Sequence, residues 1–93
     1  MSRKVVLDPA HAAPPLRSMP PATKRKVKAA LRRLAEDPGG TTNLLDVKRL
    51  DFTPGQPIYR SRIGDWRVAF TVDKDVVVLR IFHRHEGYGW LDS

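Results

Sequence analysis

Five arginines, Arg60, Arg62, Arg67, Arg80 and Arg84, fall in register within the stretch Pro57 to Tyr88, PIYRSRIGDWRVAFTVDKDVVVLRIFHRHEGY. Guanidinium groups suit phosphate, because their donors are planar and permanently charged. Gathered around one phosphodiester, they would stabilise the added negative charge of a pentacovalent transition state without a metal. RNA carries its own nucleophile, the 2′-hydroxyl, so strand cleavage needs only alignment, a base and an acid besides. His83, His85, Glu86 and Tyr88 follow the last strand and are candidates for the proton transfers.

The elements that must hold these groups follow from a period of two. Tyr59, Ile63, Trp66, Val68, Phe70, Val72, Val77, Leu79 and Ile81 alternate onto one face, interrupted by Ser61, and the arginines onto the other. Gly64-Asp65 signals a two-residue hairpin turn, and Asp73-Lys74-Asp75 a second reversal. Strands near 57–63, 66–72 and 76–83 are therefore expected to form an antiparallel meander. Asp65, Asp73 and Asp75 fall in the turns, which leaves the arginine face without acids of its own. Long charged side chains also cover exposed sheet faces simply because their stems pack. One arginine alone thus carries little weight, whereas five without matched acids repel one another and need a use. Phe82 lies on the arginine face and is the aromatic placed to touch a base, with packing an equal explanation. His83 and His85 alternate and should point apart, a poor arrangement for a shared metal.

Upstream, Arg3 to Asp8 reads as a strand that stops at Pro9. Residues 9–21 hold five of the eight prolines and should form a turn or an irregular helical fragment. From Thr23 to Glu36 strong helix formers place Val27, Ala30, Leu31 and Leu34 on one side, and Pro38-Gly39-Gly40 ends the helix. Lys24, Lys28 and Arg32 share the far side, read as a solvated face. Thr41 to Gly55 suggests a short strand or an extended connection.

Composition bounds the function. The chain is expected to be a single domain, 1–93, with 17 Lys and Arg against 10 Asp and Glu, a formal net charge of +7. Such a balance attracts polyanions, nucleic acid foremost. With no cysteine, disulfides, thiolate nucleophiles and cysteine zinc sites are excluded, which suits a reducing cytoplasm. No apolar run is long enough to span a membrane.

The run Tyr59-Arg60-Ser61-Arg62-Ile63-Gly64-Asp65-Trp66-Arg67-Val68, the strand Val76 to Phe82, then His83-Arg84 and Tyr88, resembles the RelE/ParE superfamily of toxins from toxin–antitoxin systems. Leu34 to Pro38 and Lys48-Arg49-Leu50 are similar to it as well. The resemblance implies an α+β fold, with a twisted antiparallel β-sheet of about four strands and one or two N-terminal helices packed on one face. It implies a cytoplasmic, metal-independent and cofactor-free endoribonuclease that cuts mRNA in the ribosomal A site. A cognate antitoxin would neutralise it in a hetero-oligomer. On that basis Arg60, Arg62, Arg67, Arg84 and Tyr88 are expected to be catalytic, and Arg80, Phe82 and His85 to contact RNA. Arginine is a poor proton acceptor, so the base falls to Tyr88, His83, His85 or Glu86. A ParE-like gyrase inhibitor on the same fold and a non-catalytic RNA-binding module are the alternatives.

Overall fold

The computed structural model describes residues 3–37, 47–50 and 55–87. Strand β1 (Val5–Leu7) leads through α1 (Ala13–Ser18) and α2 (Pro21–Glu36) to β2 (Val47–Arg49), β3 (Tyr59–Ile63), β4 (Trp66–Val72) and β5 (Val76–His83). The sheet order is β1-β5-β4-β3-β2. The antiparallel meander β3-β4-β5 is present as expected, but the sheet has five strands and is mixed, because β1 lies parallel to β5. The helical crossover between β1 and the meander is what allows that parallel pairing.

Proline chemistry sets both helix starts. Pro14 and Pro15 sit in the first turn of α1, where a missing N–H costs nothing, so the Pro-Pro pair permits a fragment of six residues. Pro21 opens α2, in the first turn that suits a proline. Before α1, the Asp8 carboxylate accepts the backbone N–H groups of Ala10 and His11, both at 2.8 Å. These two bonds, His11's first, hold the Asp8 carboxyl below its ordinary value. Further on, the His11 carbonyl accepts the Ile81 N–H at 3.1 Å, so the loop continues the ladder of β5 where β1 has ended.

Leu34, Val27, Ala30 and Leu31 of α2 pack on Val68, Phe70, Val76, Val78 and Ile81 of the sheet. The expected core positions Val77 and Leu79 are displaced by Val76 and Val78, and the cause is a β-bulge. Ala69 pairs with Arg80 but Phe70 pairs with Val78, so Leu79 is an extra residue in β5. The bulge resets the alternation, and Arg80 and Ile81 still fall on their expected faces.

Candidate functional site

The site is built on the side of the sheet away from α2. Register places its cations in two rows across the strands. In one, Arg62 stands opposite Arg67 and Arg67 opposite Phe82. In the other, Lys48 stands opposite Arg60, Arg60 opposite Ala69, and Ala69 opposite Arg80. Neighbours within a row are about 5 Å apart, and the rows are about 7 Å apart along the strands. Ala69, between Arg60 and Arg80, is 0% exposed, so neighbouring side chains close over its small one.

Like charges directly opposed repel, and Arg62 faces Arg67. Arg67 turns toward the hairpin instead, its Nη1 donating to the Gly64 carbonyl at 2.9 Å and the Trp66 carbonyl at 3.0 Å. Gly64 makes that turn with φ of +60°. Half-buried Arg67 is thus held at the hairpin end of the face, while Arg62 is exposed. Arg60, in contrast, is 9% exposed. Phe82 lies on the expected face but is only 1% exposed, so its ring is covered and offers no surface to a base.

Arg84 begins the turn after β5. Its N–H donates to the Asp65 carbonyl at 2.8 Å, and its Nε lies 3.5 Å from Asp65 Oδ1. The expectation that the acids stay clear of the arginines therefore fails at Asp65, because the hairpin turn and the end of β5 are neighbours. His83 and His85 do not point apart either. The strand ends at His83, so alternation no longer applies, and the two rings stack with centroids 4.7 Å apart. The His85 N–H donates to His83 Nδ1 at 3.3 Å, and His83 also meets Trp66 edge to face at 5.4 Å. The Glu86 N–H closes the turn on the His83 carbonyl at 2.9 Å, and Gly87 leaves it with φ of +65°. Tyr88, the fifth expected catalytic residue, and Trp90 lie outside the described residues.

Lys48 and Asp65 are the residues that sequence reasoning missed. Lys48 belongs to a stretch without legible period. Asp65 looked like turn chemistry only, although an acid in a hairpin beside a basic strand end is a signal for pairing. Among the described residues no three of His, Cys, Asp or Glu gather as metal ligands, and no helix is long and apolar enough to cross a membrane.

The comparisons agree with this architecture. The family model described as "ParE toxin of type II toxin-antitoxin system, parDE" matches residues 11–88. A chain of the archaeal RelE–RelB complex from Pyrococcus horikoshii superposes with a TM-score of 0.75 at 29% identity, covering 90% of this chain and 97% of that one. A chain of the RelB–RelE antitoxin–toxin complex from Methanococcus jannaschii gives 0.71 at 17% identity, covering 91% and 96%, a likeness of fold. Among curated proteins none matches. With a family model spanning most of its length and a RelE-like fold beneath its arginine face, the chain belongs to the RelE/ParE superfamily of type II toxin–antitoxin toxins.

Proposed function

We propose that the protein is a RelE-like endoribonuclease that cuts mRNA on the ribosome and is restrained by an antitoxin that covers its cationic face. The observation that carries this reading is the pair of cationic rows, with Arg67 at the hairpin end and Arg84 beside it. A phosphodiester set over Arg62 and Arg67 would have its non-bridging oxygens met by guanidinium donors. The 2′-oxygen attacks phosphorus, the P–O5′ bond breaks, and a 2′,3′-cyclic phosphate is left. The arginines hold the charge of the intervening state. They do not take the 2′-hydroxyl proton, which goes to His85, Glu86 or Tyr88. Arg84 stands where it can meet the departing 5′-oxygen. Arg60 and Arg80 fix the flanking strand, and Phe82 supports them from within.

Mapping mRNA 5′ ends on translating ribosomes tests this. The wild type should cut within codons, and Arg67→Ala should lower the rate by about 100-fold, the usual loss for one donor to a developing anion. Tyr88→Phe should slow cutting if its hydroxyl moves a proton and leave it unchanged if the ring only stacks.

A second reading is favoured by the name of the matching family: a ParE-like gyrase inhibitor. Intact mRNA with accumulating gyrase-linked DNA breaks would establish it and discard the first.

A further inference from the structure

A second groove lies on the opposite side of the sheet, between α2 and the outer edge of β3. Its wider part, 350 Å³, is bordered by Lys26 and Arg33 from the helix and by Arg62 from the strand. It runs on through Lys26, Ile63 and Gly64 into a part of 250 Å³ bordered by Asp65, Trp66 and His83. Among the described residues β2 pairs with β3 from Tyr59 to Ser61, and Arg62 and Ile63 carry the strand on from there to the mouth of the groove.

We infer that this groove binds a stretch of single-stranded RNA separate from the cleaved phosphodiester. The inference extends the endoribonuclease reading, although the binding itself needs no cleavage. Two exposed helix cations, Lys26 and Arg33, border the wide part beside Arg62, which at the sheet edge is shared with the arginine face, and neither Lys26 nor Arg33 has a carboxylate partner among the described residues. That suits a run of phosphates. The narrow part instead offers the half-buried indole of Trp66, braced edge to face by His83, and the Asp65 carboxylate as an acceptor. That suits a base. Phosphate-sized charge beside an aromatic wall is the pattern of single-strand binding. At the hairpin, Asp65 also meets Arg84, so one strand can pass from this groove onto the arginine face.

Twelve-nucleotide 2′-O-methyl oligouridylate, which lacks the nucleophile, is the probe. Its anisotropy gives affinity at several salt concentrations, and an unlabelled copy quenches Trp66 fluorescence in a Trp90→Phe background. The double variant Lys26→Ala/Arg33→Ala changes only exposed side chains and should weaken binding by about tenfold. It should lower the salt slope by about 1.4, the value for two phosphate contacts on a single strand, and abolish the quenching. Arg67→Ala should retain the quenching. Unchanged affinity, slope and quenching in the double variant would overturn the inference, and so would a twelve-residue polyglutamate that quenches Trp66 as strongly as the RNA. Loss of mRNA cleavage by the wild type would overturn the proposed reaction and leave this binding result standing.

Discussion

Under the proposed reaction, Arg67 is a single side chain held ready for a phosphate. Its guanidinium is lent to two carbonyls of the hairpin, Gly64 and Trp66, which are weaker acceptors than a phosphate and can be exchanged for one. Arg84 is prepared differently, by an ion pair whose partners are 56% and 62% exposed. A pair so open adds little stability. Asp65→Asn should therefore shift the unfolding free energy by no more than about 0.5 kcal/mol in urea titrations. It should slow mRNA cleavage by roughly tenfold, as expected for a positioning residue whose loss misplaces a catalytic group. Gly64→Ala separates strain from crowding. No atom lies within 4 Å of the added Cβ, so the cost is that of the left-handed backbone alone, about 1 kcal/mol by denaturation. At this scale alternation found Arg60, Arg67 and Arg80 on one face. It passed over Lys48, whose position depends on pairing with β3 rather than on any local period.

Among the elements, α2 was the most legible, since Val27, Ala30, Leu31 and Leu34 repeat at helical spacing and all four are buried. Leu34→Ala should cost 2–5 kcal/mol, the range for a leucine deleted from a closed core, because Leu34 is 0% exposed. β5 was half legible. Val76, Val77, Val78 and Leu79 are all apolar, so no local signal says which pair faces inward, and the bulge that decides it is a relation with β4. Deleting Leu79 should remove the bulge and keep Val76, Val78 and Ile81 on the core face, because Val78 facing in and Arg80 facing out then alternate without interruption. A cooperative thermal transition should therefore persist, and its loss would show that the bulge is needed for the strand to pair. The β1–α1 connection rests on Asp8. Its folded pKa lies below the ordinary 3.8, so its contribution is complete above that value and fades as pH falls through the lower, folded one. Asp8→Asn should thus lower the melting temperature at pH 7, and the gap to wild type should close as pH falls from 3.8 through that lower value. The acid's role was invisible beforehand because Pro9 drew attention to where the strand stops rather than to what caps the turn after it.

For the molecule as a whole, the +7 charge is divided between two sides of one sheet. The arginine rows occupy one, and α2 adds Lys26 and Arg33 on the other. The family resemblance anticipated the first and did not anticipate the second, which lies between α2 and the end of β3. The parallel pairing of β1 with β5 has a consequence in time. Val76 donates its N–H to the Lys4 carbonyl at 2.9 Å and Asp8 donates to Val78 at the same distance, so the first strand finds its partner more than seventy residues later. During synthesis β1 and the Val68–Phe70 side of β4 both wait for residues 76–83, and no shorter nascent chain can complete the arginine face. A fragment ending at Asp75 should show no cooperative melt, and a chain interrupted before β5 should be harmless to the cell that makes it.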